Sequence, residues 1–398
     1  MIPNARNVRY TKQPGFQGNA IQVLRRWFVA IAVICCLAIA LITPPFQAAD
    51  EYLHFYRAYQ VSTGQLIPTR QTGSCSGYSQ NFENTLCLGG MLPRSLLTTV
   101  RNASAQDLRF AYTRKQDLAS LRRLWSIPLQ PDDPHFLKFS TTGLHAPIGY
   151  LPQAMGMAIG RSLGSLSGLV TPPPILLMYL GRCANATVWI GLVWLAMTIA
   201  PEFMLAWFAI GLLPMALFQA SSLSADVLTN GLACLIMALV MRYRSRPWES
   251  TITPWLLSIL MALFAVSKLA YAPMVFGLLL IPARSFFPVC TRPHCTMCYR
   301  LWLGATGFLA IASVFGWSQI IDRIYVSLHP DLDPTAQLAG ILADPLGFTA
   351  ITVTTLTFNA GHYLQQFIGV FGWLDTPLPP WHVAGYAIAR DSPLWPLL

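Results

Sequence analysis

The run WFVAIAVICCLAIALIT, Trp27 to Thr43, carries no charge and leads straight into Pro44-Pro45-Phe46-Gln47-Ala48-Ala49-Asp50-Glu51-Tyr52-Leu53-His54-Phe55-Tyr56-Arg57. With its flanks counted, an uncharged stretch of this length spans a hydrocarbon core. The paired prolines end it, because proline has no amide hydrogen to continue the helical ladder. Two carboxylates, a histidine and an arginine therefore follow at the water interface.

The 398 residues are 54% hydrophobic and only 11% charged, with a mean hydropathy of +0.48. Soluble domains carry about a quarter charged residues, so the composition indicates an all-α polytopic membrane protein. The formal net charge is +10, but the basic residues are scattered among loops between apolar runs. They form no stripe, which argues against a nucleic-acid partner. Five basic residues (Arg6, Arg9, Lys12, Arg25, Arg26) and no acid precede Asp50, which places the amino terminus in the cytoplasm. The long charged lead and the lack of a small-residue cleavage pattern disfavour a removed signal peptide.

The expected organisation is a basic cytoplasmic segment 1–26, a first transmembrane helix 27–43, an extracytoplasmic loop 44–174 bearing juxtamembrane helices, a helix bundle 175–321 and an extracytoplasmic segment 322–398. Within the bundle, apolar runs fall at 175–199, 203–220, 225–243, 254–267, 270–283 and 300–321. The connections holding Arg242, Arg244 and Arg246, then Arg284, Arg292 and Arg300, are basic and belong on the cytoplasmic side. That parity requires 148–166 to lie on or dip into the outer interface rather than cross it, giving about seven transmembrane helices. Runs 254–267 and 270–283 are short for spans, and a single kinked helix with Lys268 inside it is the alternative. After Ile321, six acids face two basic residues, in keeping with an outside location. The chain stops at Leu398 without a basic flank or a further complete span, as an early stop would leave it.

On a helix starting near Asp50, positions 50, 54 and 57 share one face, with Glu51 one step round. A carboxylate at a helix start meets the positive end of the macrodipole and stays ionised, able to act as a base or a metal ligand, or simply as an N-cap. Asp226 is a second outward acid, again readable as a cap. Two carboxylates from separate loops can orient an acceptor and a divalent cation. Lys268 is an ionisable residue in an apolar stretch, and with Arg182 suits a phosphate, snorkelling being the bland alternative. His145-Ala146-Pro147-Ile148-Gly149-Tyr150 opens the interfacial helix. Cys75 and Cys87 fall in the outer loop and can pair in an oxidising compartment. Cys290, His294, Cys295 and Cys298 lack a standard zinc spacing, while Cys35, Cys36, Cys183 and Cys234 are apolar packing residues. No GxxxxGK[ST], strand-to-helix GxGxxG or GxSxG motif is present.

In these residues the chain resembles a bacterial family of predicted multi-pass membrane proteins, domain-of-unknown-function family 2142. The matching stretches are Asp50 to Ala58, Gly149 to Gln153, Leu180 to Asn185, Leu213 to Asp226, Lys268 to Tyr271 and Phe371 to Thr376. The layout is also similar to the GT-C superfamily of glycosyltransferases, which take a sugar from a polyprenyl-phosphate carrier at the outer face. That resemblance implies Asp50 and Glu51 as catalytic carboxylates, with Asp50 the base. It implies His54 and Arg57 as supporting groups, Asp226 as an acceptor or cation ligand, and Lys268 with Arg182 as binders of the lipid phosphate. A magnesium or manganese ion would sit on Asp50 and Asp226. The implied partners are a polyprenyl-phosphate-linked sugar, a glycan or lipid acceptor, and the lipid bilayer of a bacterial inner membrane. A transporter or flippase of lipid-linked glycans and a non-catalytic assembly partner are the competing functions.

Overall fold

The computed structural model describes residues 16–72, 86–103, 107–111, 113–167, 171–247, 252–286, 295–327 and 332–379. The expectations for Arg6, Arg9, Lys12, Cys75, Cys290, Arg292 and His294 lie outside the described residues.

Helix α1, Phe16–Ile42, shows how the apolar run of the sequence is used. From residue 19 onward, only Phe28, Ala32, Cys36 and Ala40, spaced by four, are buried, and this stripe packs on the neighbouring helices. Ile34, Leu41 and Ile42 are 67, 71 and 79% exposed, a face that suits lipid and not water. Helix α2, Glu51–Ser62, follows and is buried along most of its length.

The segment after α2 adds a small sheet to a protein that is otherwise helical, as expected. Strands β1 Thr69–Thr72, β2 Leu86–Pro93 and β3 Pro134–Lys138 form an antiparallel sheet in the order β1-β2-β3, with Thr69 opposite Gly89 and Gly89 opposite Lys138. Helices α3 Arg94–Asn102 and α4 Leu118–Leu124 lie between β2 and β3. Leu92, Leu137 and Phe139 join Phe55, Tyr56 and Tyr59 in one core. This sheet backs α2 and holds it firmly.

A one-turn helix α5, Ser140–Gly143, leads to α6, Leu151–Ser167, which packs along α7, Pro174–Ile199. A Cβ on Gly156 would lie 2.5 Å from the Leu180 carbonyl oxygen, so the close α6–α7 approach needs the missing side chain. Helix α6 is not among the helices long and apolar enough to cross a membrane.

The run 203–220, expected as one span, is two helices, α8 Met204–Gly211 and α9 Pro214–Ala220, bent by 73°. Pro214 supplies the cause, lacking a donor and disfavouring helix in the residue before it. Helix α10, Asp226–Ser245, lies between α7 and α11, Ile252–Ser267, and α11 packs on α12, Cys295–Ile324. The expected span 270–283 is instead a 3-10 segment, Leu269–Leu280, with Pro273 inside it. Lys268 takes an extended conformation at the break.

Residues 322–398 are expected to form an extracytoplasmic segment. The structure has two apolar helices there, α13 Pro334–Ala343 and α14 Pro345–Phe358, meeting at 104°. Asp344-Pro345 splits the apolar signal, and the Asp344 carboxylate caps α14 through the Gly347 amide. Helix α15, Ala360–Gly369, ends in a small hairpin of β4 Val370–Phe371 and β5 Thr376–Pro377.

The protein is thus mostly helical. Among the described residues, Asn19–Ile42, Pro174–Ile199, Asp226–Ser245 and Thr296–Ile324 are long and apolar enough to cross a membrane, and the bent pairs raise this to six, against the seven expected.

Candidate functional site

Residues 48–57 form the centre of the site. Asp50 occupies the N-cap position of α2 in the left-handed region, φ 54 and ψ 15, yet its side chain makes no capping bond. It is exposed, and partial desolvation raises its pKa while the Arg109 guanidinium opposes the shift. The simple capping explanation therefore does not hold. Because Asp50 stands outside the helix, the i, i+4, i+7 face does not extend back to it. His54 and Arg57 do share a face, since both meet Tyr150.

Glu51 turns the other way and is 1% exposed. Arg182 from α7 donates from Nε to Oε1 at 2.8 Å and from Nη2 to Oε2 at 2.6 Å. The same guanidinium donates to the carbonyls of Ala40, Thr43 and Pro44 at 2.8, 3.0 and 3.2 Å. These are the last carbonyls of α1 and the turn after it, which lack helical partners. The Leu223 amide also donates to Glu51 Oε1, at 3.2 Å. One buried ion pair thus ties α1, α2, α7 and the loop before α10.

That loop is clamped from two more sides. Asn185 Nδ2 donates to the carbonyls of Ser222 and Ser224, and Gln153 Nε2 donates to those of Leu223 and Ser224. Arg182, Asn185 and Gln153 come from separate sequence stretches and meet on one loop. Its product is the fixed position of Asp226, whose carboxylate accepts from Lys268 Nζ at 2.8 Å. Asp226 is the first residue of α10 and has no capping bond to make, the N-cap being Ala225. Lys268 reaches it from the break after α11, with the Tyr271 ring 5.8 Å away.

His54, His145 and Tyr150 lie within the electrostatic reach of Asp226, and Tyr150 also within that of Asp50. His54 Nδ1 and the Tyr150 hydroxyl are 2.9 Å apart. Desolvation lowers the pKa of the half-buried His54 to about 3, and that of the half-buried His145 is lowered too, each feeling the charges of Asp226 and Lys268. Both imidazoles are neutral near neutral pH. Tyr150 is raised by its burial and lies in the fields of both Asp50 and Asp226. Arg57 is fully buried, donating to Gln60 Oε1 at 2.5 Å and the Leu66 carbonyl at 2.8 Å, with burial lowering its pKa to about 10. A cavity of about 130 Å³, lined by His145, Ser267, Lys268 and Trp317 among others, opens beside Lys268.

The basic residues Arg25 and Arg242 are at the other end of the bundle, bonded to Thr198 Oγ1 and the Ile199 carbonyl. The donor set does not fit the divalent cation expected on Asp50 and Asp226. Asp226 is already neutralised by Lys268, and among the described residues no three His, Cys, Asp or Glu side chains gather as ligands. Cys87 is in a disulfide. Cys36 and Cys234 are buried as packing residues, whereas Cys183 is exposed.

Arg109 and Trp373 were not among the candidate site residues, and Tyr150 was placed only in the segment that opens the interfacial helix. The Arg109 guanidinium lies 4.7 Å from the Trp373 ring, and that ring lies 6.2 Å from Tyr52. The hairpin turn carrying Trp373 falls within the Phe371 to Thr376 stretch, so its signal was present in the sequence.

A family model described as Predicted membrane protein (DUF2142) matches residues 33–389. No curated protein and no solved structure matches the chain.

Proposed function

The chain belongs to the DUF2142 family of predicted membrane proteins, and from this premise we propose that it is a membrane glycosyltransferase moving a sugar from a polyprenyl-phosphate carrier to a glycan or lipid acceptor. The supporting observation is Asp50, an exposed carboxylate in a left-handed conformation with no capping bond; the buried Tyr150 lies in the fields of both Asp50 and Asp226, the partner of Lys268. Non-glycine residues persist in such conformations where surrounding structure holds them, often at functional sites.

In the proposed step Asp50 takes the proton of an acceptor hydroxyl. The freed oxygen attacks the anomeric carbon as the bond from that carbon to the phosphate oxygen breaks, with inversion. The electron pair leaves with the lipid phosphate, whose charge Lys268 stabilises. Asp226 holds the Lys268 ammonium, and the neutral His54–Tyr150 pair offers hydrogen bonds to sugar hydroxyls. Glu51, Arg182 and Arg57, buried and already partnered, act as positioning residues.

A second reading has its own support. The breaks at Pro214 and Lys268 are the interrupted helices from which transporters build substrate sites, so a carrier of lipid-linked glycans would use the same cation without bond cleavage. A deletion strain carrying wild-type or Asp50→Asn protein at matched expression separates them. Mass spectrometry should show the mutant losing one envelope sugar while its lipid-linked donor accumulates. Full restoration of the glycan by Asp50→Asn would leave transport or a scaffold role standing instead.

A further inference from the structure

A second concavity, of about 640 Å³, lies where the end of α1 meets the 107–121 segment and the β4–β5 hairpin. It shares no lining residue with the cavity beside Lys268. One wall is Leu41 and Ile42, continuous with the exposed face of α1 that carries Ile34 and Leu37. Positions 34, 37 and 41 follow helical spacing, so the groove opens onto the lipid-facing side of α1. Its floor includes Phe218 and Phe371, stacked with ring centroids 4.8 Å apart.

The remaining wall is polar and basic. Arg114 and Lys115 are exposed, line the groove and make no ion pair among the described residues. The lining acid, Asp375, accepts from the Trp373 amide and the Thr376 hydroxyl, both at 3.1 Å. Gln116 donates to the Ala103 carbonyl at 2.7 Å, which leaves its Oε1 buried without a partner among the described residues. An apolar channel open to lipid, ending at two adjacent cations, complements an amphiphile with an anionic head. Two cations match a dianionic terminal phosphate, or a diphosphate, better than the single charge of a phosphodiester headgroup.

We propose that this groove binds a lipid with a terminal phosphate or diphosphate, its chain against Leu41 and Ile42 and its phosphate on Arg114 and Lys115. The hairpin turn that walls the groove also carries Trp373, which packs on Arg109, the cation felt by Asp50. On the glycosyltransferase reading, on which this assignment of a role rests, the groove holds the lipid-linked acceptor while the donor phosphate lies at Lys268. Lipid binding itself does not require the transfer step.

The test uses the purified full chain in detergent with a diazirine-bearing polyprenyl phosphate as the probe. Photolabelled peptides should map to the end of α1 and to Phe218, and unlabelled polyprenyl phosphate should compete. Arg114→Ser/Lys115→Ser should weaken this labelling about tenfold, since both exposed cations that would face the phosphate are removed while the apolar walls of the groove remain. Lys268→Met should leave labelling of the α1 peptides unchanged. Equal competition by phosphatidylglycerol or inorganic phosphate, or undiminished labelling of the double variant, overturns the proposal. Both cations are exposed, so the double variant should fold, and its melting temperature and elution profile check that. If Asp50→Asn retains full glycan synthesis while groove labelling persists, the transfer reading fails and the lipid site stands. If the double variant labels normally while Asp50→Asn is inactive, the groove fails alone.

Discussion

Arg182 holds Glu51 through two parallel bonds of 2.8 and 2.6 Å, and both side chains are almost completely buried. A buried pair loses more when one partner is removed than its own net contribution, because the remaining charge stays desolvated. Arg182→Ala should therefore destabilise the protein by about 3–5 kcal/mol. Arg182→Lys should recover only part of this, since an ammonium cannot grip both carboxylate oxygens and the α1 carbonyls together. Thermal unfolding of the detergent-purified variants measures both, and a wild-type melting temperature for Arg182→Ala would refute the lock.

Asp50 has the opposite relation to stability. A non-glycine residue at φ 54 is conformationally costly, although aspartate tolerates the region better than most. Asp50→Gly should relieve that strain and leave stability unchanged or higher by about 0.5–1 kcal/mol, while transfer falls by roughly 10²–10⁴. Loss of stability with retained activity would reverse the assignment. The raised pKa of Asp50 also places the acid limb of the pH–rate profile above the ordinary carboxylate range, with activity lost as pH falls through it.

The contrast between Asp50 and Glu51 shows where local pattern stops informing. The helix starting at the acidic pair was legible, as were the spans at α1, α7 and α10, because each is a long apolar run with charged or proline ends. Asp50, however, stands just outside the helix in the left-handed region while Glu51 is its first residue, and which of the two acids turns inward depends on Arg182, 131 positions from Glu51. The three-stranded sheet escaped for the same reason, since Gly89 pairs with Lys138 across a long separation. Arg182 looked like a phosphate binder because a cation in a span has many readings. The carbonyls it satisfies appear only once α1 and α7 are packed together. Pro214 and Pro273 were visible, but a hydropathy run averages over the breaks they impose.

Acid sensitivity should come in large part from the histidines. Unfolded His54 takes up a proton near pH 6.5, whereas in the folded protein it does so only near about 3. Between these values the unfolded state binds more protons, so stability falls as pH drops below about 6.5 and is flat above it from this group. His145 is lowered by the same cause and acts in the same direction. Asp50, with its pKa raised by desolvation, acts in the opposite direction. His54→Gln should flatten the decline between pH 6.5 and 4.5 in unfolding experiments. An unchanged pH slope would mean that His54 is protonated in the folded protein.

The Asp226–Lys268 pair is about one third exposed, with side-chain accessibilities of 31 and 34%, so its direct contribution to stability is small, about 0–1 kcal/mol. Its importance is expected in function, where the ammonium must be presented at one place beside His145. Asp226→Asn should loosen Lys268 without removing its charge, and Lys268→Met should remove the charge outright. If the two residues act as a unit, the double variant should be no slower than Lys268→Met alone, a non-additivity typical of groups sharing one task. Stability should change little in all three, which separates the effect from unfolding. Activity losses that simply multiply would show the two residues acting independently, and Asp226 would then require a role of its own at the acceptor.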